Sequence, residues 1–110
     1  MSSPTSSRAS SSPAPVPARP LADAVAADLR AIPGVADLHP GRYGEVALLY
    51  PRHRVTGLRH TPDRLEVHLV VDLDHPQPLA EVADRARAVV EKHLRRTADI
   101  IFADAQGGQP

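Results

Sequence analysis

Apolar and polar side chains alternate most regularly between residues 65 and 73. Apolar residues occupy every second position of this segment: Leu65, Val67, Leu69, Val71 and Leu73. A period of two predicts a strand with one buried face. Thr61-Pro62-Asp63-Arg64 precedes the strand and suits a type I turn, because proline is favoured at its second position. We therefore expect residues 55–60 to form the first arm of a β-hairpin.

The first arm of this hairpin contains an irregularity. Val55 and Leu58 are out of phase by one residue for a regular strand, and Gly57 lies between them. An extra residue in a β-bulge brings both apolar side chains to the same face, which predicts a bulge at Gly57. Other apolar runs predict three further strands, over residues 35–38, 45–50 and 98–102.

Two segments have the apolar spacing of amphipathic helices. The first begins at Pro20, which suits the first helical turn, and ends before Pro33-Gly34. Its apolar positions recur at helical spacing: Leu21, Ala24, Val25, Leu29 and Ile32. The second helix spans residues 79–95, with an apolar stripe formed by Leu79, Val82, Ala83, Ala86, Val89, Val90 and Leu94. Its polar side contains two pairs spaced for i,i+4 ion pairing, Glu81/Arg85 and Glu91/Arg95.

These elements predict a two-layer α+β domain in which two helices pack on one face of a small, mostly antiparallel sheet. The chain has 110 residues, which allows one domain, and we place it at residues 20–105. Residues 1–19 contain seven Ser and four Pro and are expected to form a disordered arm. Residues 106–110 are expected to be a frayed C-terminus. No apolar run approaches the roughly 18–20 residues of a membrane helix, so no direct membrane insertion is expected.

The composition of the domain argues against an enzyme. The chain has no Cys, and every Ser lies in the expected arm, so the domain contains only threonines as aliphatic hydroxyl nucleophiles. Thr61 lies in a turn and Thr97 follows a helix end, and neither has a suggestive neighbourhood. Asp72-Leu73-Asp74-His75 could offer carboxylates and an imidazole to a metal ion, but the prolines that follow favour a polar loop. We expect no catalytic, cofactor-binding or metal-binding residues.

Basic side chains are concentrated between residues 42 and 64. Gly41-Arg42-Tyr43-Gly44 in this region matches the GXXG loop of RNA-binding KH domains. A KH loop joins two helices, however, whereas a turn and a β-like segment flank these four residues. The chain also has 13 basic and 13 acidic residues and no formal net charge, where a nucleic-acid-binding domain is usually basic. A small KH-like nucleic-acid-binding module that uses the basic hairpin edge is therefore the alternative interpretation.

Taken together, the elements resemble the alkaline-shock, or envelope stress response, proteins of Gram-positive bacteria in a shortened actinobacterial form. Four segments within residues 21–105 carry the resemblance: the first helix with Pro33-Gly34-Val35-Ala36-Asp37-Leu38, the hairpin start Arg54-Val55-Thr56-Gly57-Leu58, the strand 65–72, and Pro78-Leu79-Ala80-Glu81-Val82-Ala83. This chain departs from the family in a glycine-rich segment reduced to residues 41–44, a shorter last strand and an additional Ser/Pro-rich arm.

The resemblance implies a non-enzymatic, intracellular scaffold or adaptor that associates with itself or with a paralogue. It also implies a small integral membrane protein as a partner that holds the chain near the membrane. The residues expected to contact a partner are exposed arginines of the basic segment: Arg42, Arg52, Arg54 and Arg59. Arg8 and Arg19 lie in the expected arm, which leaves the domain with 11 basic and 13 acidic residues in successive segments of opposite charge. This charge pattern favours association with protein over nucleic acid.

Overall fold

The structure, a computed structural model, describes residues 15–107. These residues form two helices and six strands. Their order is α1 (Arg19–Arg30), β1 (Val35–Leu38), β2 (Ala47–Tyr50), β3 (His53–Thr56), β4 (Leu58–His60), β5 (Leu65–Asp72), α2 (Leu79–Leu94) and β6 (Ala98–Gln106). The predicted fold class is confirmed, because both helices pack with the mostly antiparallel sheet in one core. Residues 1–14 and 108–110, which include most of the expected arm and frayed end, lie outside the described residues.

Strand β5 is the centre of the main sheet. One edge of β5 pairs antiparallel with β4 near its start and with β1 near its end, through Leu58 opposite Val67 and Leu38 opposite Leu69. The other edge pairs with β6, which runs parallel to β5. Strands β2 and β3 form a separate two-stranded antiparallel hairpin. The main sheet therefore ends at β6 on one side.

The predicted alternation of β5 is confirmed from Leu65 to Leu69 and breaks after it, because Val70 is buried, Val71 is half-buried and Leu73 lies beyond the strand, 47% exposed. Leu65, Val67 and Leu69 are fully buried, whereas Glu66 and His68 between them are only partly buried on the opposite face. The buried face packs against both helices, with other core residues contributed by Val25, Leu29, Val82, Ala86 and Val90. Fully burying each large aliphatic side chain contributes about 1.5–3 kcal/mol, so this face supplies much of the stability of the domain.

The irregularity predicted at Gly57 is a break between two strands and not a bulge within one hairpin arm: only Leu58–His60 pair with β5, whereas His53–Thr56 pair with β2. Gly57 has a φ of +90° and separates β3 from β4. Its N–H donates to Val46 O at 2.8 Å, and its carbonyl accepts the N–H of His68 at 2.9 Å. The glycine thus stays bonded to both neighbouring segments while the chain passes from the hairpin into the main sheet.

The start of α1 differs from the prediction. The helix begins at Arg19, one residue earlier than expected, and Pro17 before it is buried. The hydroxyl of Tyr50 donates to Pro17 O at 2.6 Å, which holds this segment against the hairpin. The buried face of α1 is also shifted: Ala22 and Ala26 are buried, whereas Leu21 is 42% exposed. Small alanines let the helix approach the rest of the core closely.

The last strand is longer than predicted. It continues to Gln106, which the sequence places in a frayed end, and its ladder with β5 is irregular between Phe102 and Asp104. This irregularity at Ala103 shifts the alternation by one residue, so the sequence pattern stops at Phe102 although the pairing continues.

Candidate functional site

The four arginines expected to bind a partner lie on different parts of the surface. Arg52 is in the turn between β2 and β3, and Arg54 lies on β3. Arg52 and Arg54 are exposed, line one shallow depression together, and form no ion pair with any other residue of the described range. Arg42 lies in the loop after β1, and Arg59 lies on β4 with its guanidinium 3.9 Å from Glu66 Oε1. The structure therefore brings only Arg52 and Arg54 into one depression.

The outward face of the β2–β3 hairpin combines apolar and basic groups. Leu49 is paired directly with Arg54, so both side chains are on the same face of the hairpin. Leu49 is 69% exposed. We term Leu49, Arg52 and Arg54 the hairpin surface. An exposed aliphatic side chain beside unpaired arginines is suited to contact with another protein.

The loop that matches the GXXG pattern is occupied by an acidic side chain. It joins β1 to β2, and Gly44 N–H donates to Gly41 O at 3.4 Å across it. Glu45 accepts the N–H of Tyr43 at 2.9 Å through its carboxylate. Its own backbone N–H and that of Tyr43 lower the pKa of this carboxyl below its ordinary value. A phosphate approaching these backbone donors therefore meets a carboxylate already bound to them.

The face of the sheet opposite the helices carries a cluster of charged and polar groups. The Glu66 carboxylate lies between Arg59 at 3.9 Å and His68 at 3.1 Å. His39 Nε2 lies 4.0 Å from Asp104 Oδ2, next to the irregular part of β6. Within residues 15–107, no group of three or more acidic or histidine side chains is arranged to hold a metal ion. The Arg59–Glu66 ion pair links β4 to β5, and the contact of His39 with Asp104 links the loop after β1 to β6.

The segment considered as a metal site from the sequence forms a hydrogen-bonded loop. Asp72 Oδ1 accepts the N–H groups of Asp74 at 2.9 Å and His75 at 3.3 Å. A side chain that binds the backbone two and three residues later stabilises a turn. Asp72 thus directs the chain from β5 toward α2, as the polar-loop interpretation requires.

Three histidines connect elements that are distant in sequence. His53 Nε2 on β3 is 2.8 Å from Asp23 Oδ1, and His93 Nε2 on α2 is 2.7 Å from Asp28 Oδ2, both aspartates lying on α1. His60 Nδ1 accepts a hydrogen bond of 3.0 Å from Arg96. The sequence contains no local signal for these contacts, because the partners are at least 30 residues apart.

The outer edge of β6 is open. Strand β6 pairs with β5 on one side and with none of residues 15–107 on the other. Thr97 O accepts the N–H of Leu65 at 3.0 Å, and the backbone groups of successive strand residues point to alternate edges. The N–H and C=O groups of Ala98, Ile100 and Phe102 therefore face the open side. We term residues 98–102 the open edge.

The open edge lacks the usual protection of an edge strand. Natural edge strands are protected by charges and bulges, and β6 has both after Phe102, at Ala103 and Asp104. Within the open edge the only charged residue is Asp99, which Arg64 neutralises through an ion pair of 2.8 Å. Ala98 is buried, and Ile100 and Phe102 are half-buried against the core. This regular, mainly apolar segment is suited to pairing with another strand.

A groove of about 660 Å³ runs along the open edge, between β6 and α2. Arg87 and Glu91 line it from the helix. Arg87 is 3.1 Å from Asp84 of the same helix. The ion pair predicted between Glu91 and Arg95 is not formed, because Arg95 follows the end of α2 in a left-handed conformation with φ 53°. Glu91 therefore has no ion-pair partner among residues 15–107.

Comparison of the chain with protein-family models, with curated proteins and with solved structures found no match. The resemblance to alkaline-shock proteins stays a prediction. None of the helices within residues 15–107 has the length and apolar character needed to span a bilayer. The function is therefore inferred from the surfaces themselves, of which the open edge and the hairpin surface are the strongest candidates.

Proposed function

We propose that this protein is a non-enzymatic, intracellular scaffold or adaptor of the envelope stress response type, which acts by self-association and by binding a membrane-anchored partner. The observation that carries the proposal is the open edge of β6. A row of backbone donors and acceptors with which no strand of residues 15–107 pairs, next to half-buried apolar side chains, is a template for pairing with another chain. The resemblance to alkaline-shock proteins implies the same mode of action.

The size of the domain supports self-association. A domain of about 90 residues buries only roughly 60–65% of the surface that its unfolded chain exposes, so its core provides a modest margin of stability. Pairing at the open edge would cover the half-buried Ile100 and Phe102, and would satisfy backbone groups that otherwise bind water. Association at this edge thus increases the burial of these two side chains.

Light scattering of the full chain over micromolar concentrations tests the proposal directly. The chain has a mass of 11.8 kDa, and we expect a mass at least twice that value at the upper concentrations. A mass of one chain at every concentration would contradict a scaffold that acts by self-association.

The hairpin surface is the proposed contact for the membrane-anchored partner. Leu49 provides an apolar anchor, and the guanidinium groups of Arg52 and Arg54 are free to bind acidic groups. We expect Arg54→Glu to reduce recovery of the chain in the membrane fraction of cells. Arg85→Glu is the matched control, since Arg85 is an exposed arginine on α2, away from this surface. Equal recovery of both variants would remove the hairpin surface from the proposal.

A nucleic-acid-binding module remains the alternative function, and the unpaired Arg52 and Arg54 are the observation that favours it. Such binding should weaken steeply with salt, and each of Arg52→Ala and Arg54→Ala should reduce the slope of log K against log salt by roughly 0.7–0.9. The carboxylate of Glu45 at the Gly41–Gly44 loop opposes phosphate binding there. Titration of a labelled single-stranded RNA decides the matter, because undetectable or salt-independent binding eliminates the alternative.

A further inference from the structure

We infer that the open edge pairs with the same edge of a second copy of this chain, antiparallel, about a two-fold axis at Ile100. The inference rests on the proposed self-association and specifies its surface and geometry. It follows from three features of the described residues: the backbone groups of the open edge, the distribution of charge along β6, and the order of charges on α2.

The charges on β6 select the residue that lies on the axis. An axis at Asp99 would place the two Asp99 carboxylates directly opposite each other, which destabilises a strand pair. An axis at Ile101 or beyond would bring the irregular part after Phe102 into the ladder. An axis at Ile100 keeps all pairing within the open edge and places Asp99 opposite the partner's Ile101.

The same register satisfies the free backbone groups. It pairs Ile100 with the partner's Ile100, and Ala98 with the partner's Phe102. These are the residues whose N–H and C=O groups face the open side. In an antiparallel ladder such residues exchange both of their hydrogen bonds, which gives about six bonds across the axis.

The charges on α2 are self-complementary in this arrangement. Arg87 and Glu91 line the groove together with residues 98–101 of β6, which include the axis residue Ile100. A two-fold axis reverses the direction of the partner's helix. Arg87 then faces the partner's Glu91, and Glu91 faces the partner's Arg87. The acidic side chain without an ion pair in a single chain thereby gains one in the dimer.

An isologous contact of this kind needs only one surface per chain, and it closes after two copies. The groove beside the open edge is then filled from both sides of the axis. The apolar Ile100 and Phe102 become central in the extended sheet, and Asp99, with its ion pair to Arg64, lies next to the axis on the opposite face.

Charge reversal on α2 tests the proposed geometry. Arg87→Glu alone and Glu91→Arg alone each convert both reciprocal ion pairs into like-charge contacts, so each should weaken dimerisation about tenfold in sedimentation equilibrium. The double variant Arg87→Glu/Glu91→Arg restores opposite charges across the axis and should return to within about threefold of the unmodified chain. Arg85→Glu is the control, because Arg85 is bound to Glu81 at 3.7 Å and is not among the groove residues.

A thiol on the axis provides a second test that does not depend on charge. The chain has no cysteine, so a single introduced thiol reports one contact. In Ile100→Cys the two Cα atoms would be about 5.5 Å apart, which is within the range of a disulfide. In Ala103→Cys, a control at an exposed position of the same strand, the two copies would be roughly 20 Å apart. Mild oxidation should give a covalent dimer with the first variant only.

The possible failures are distinguishable. An unmodified chain that is a monomer at every concentration contradicts both the proposed function and this inference. If the unmodified chain is a dimer but neither charge reversal weakens it, self-association stands and the open edge is not its surface. The same conclusion follows if the two thiol variants are cross-linked equally. If the single reversals weaken dimerisation and the double variant does not restore it, the reciprocal ion pairs between Arg87 and Glu91 are overturned.

Discussion

His93 Nε2 on α2 donates a hydrogen bond of 2.7 Å to Asp28 Oδ2 on α1, across 65 residues of sequence. This bond lowers the pKa of the Asp28 carboxyl below its ordinary value, with added charge attraction from His93 and Lys92. The contact joins the two helices directly, in addition to their shared packing against β5.

The lowered pKa of Asp28 gives a pH dependence of defined sign. A carboxyl with a lowered pKa in the folded state stabilises the fold above its unfolded pKa, and this contribution is lost as the pH falls through the folded value. We expect the melting temperature to fall more steeply between about pH 5 and pH 2 in the unmodified chain than in Asp28→Asn. Asp84→Asn, which removes a carboxylate that bonds within α2, should keep the original slope. Identical slopes for all three proteins would contradict the role of this contact.

Gly57 should tolerate no side chain. An alanine there must adopt a φ near +90°, and its Cβ would overlap the buried Leu38 side chain. Gly44 is the matched control, since it has a φ of +76° but no atom within 4 Å of the added Cβ. We expect Gly44→Ala to lower the free energy of unfolding by about 1–2 kcal/mol, the cost of the left-handed backbone alone. In urea denaturation, Gly57→Ala should lower the free energy of unfolding by at least about 2 kcal/mol more than Gly44→Ala, because its Cβ overpacks against Leu38. Equal losses of stability in the two variants would disprove the steric clash.

Arg96 should stabilise the turn between β4 and β5. Its guanidinium donates to Thr61 O at 2.9 Å and to Arg64 O at 2.7 Å, and burial lowers its pKa below the ordinary value. Hydrogen bonds from a charged donor contribute about 1.5–3 kcal/mol, so Arg96→Gln should lower the free energy of unfolding by an amount in that range. Arg64→Gln, which removes an exposed ion pair, should lower it by less than about 1 kcal/mol. Chemical denaturation of both variants distinguishes the two roles, and equal effects would contradict the assignment.

The sequence predicts the elements whose pattern is local. The alternation from Leu65 to Leu69 and the interruption at Gly57 are both encoded within a few residues and both are present, although the alternation breaks at Val70 and Gly57 separates two strands where a bulge was predicted. The end of β6 could not be predicted, because the irregularity at Ala103 shifts the alternation while pairing with β5 continues. The missing pair between Glu91 and Arg95 has a similar cause: helical spacing assumes a helical backbone, and Arg95 no longer has one.

The candidate surfaces were predicted only in part. Exposure of Arg52 and Arg54 follows from their position in a charged turn and strand, and the structure places them beside Leu49. Nothing in the sequence indicates that β6 is an edge strand, because strand order depends on contacts between distant segments. The groove between α2 and β6 could not be predicted either, because it forms only where β6 is the edge strand of the sheet. The surface that carries the functional proposal therefore emerges only from the tertiary structure.

Backbone amide exchange at the open edge, measured by NMR as a function of protein concentration, tests the central claim most directly. The N–H of Ile100 faces the open side, whereas that of Ile101 faces β5. We predict that Ile101 is protected at every concentration, and that exchange at Ile100 and Phe102 slows as the fraction of dimer rises. Fast, concentration-independent exchange at Ile100 in a solution that is dimeric by light scattering would contradict self-association through the edge of β6.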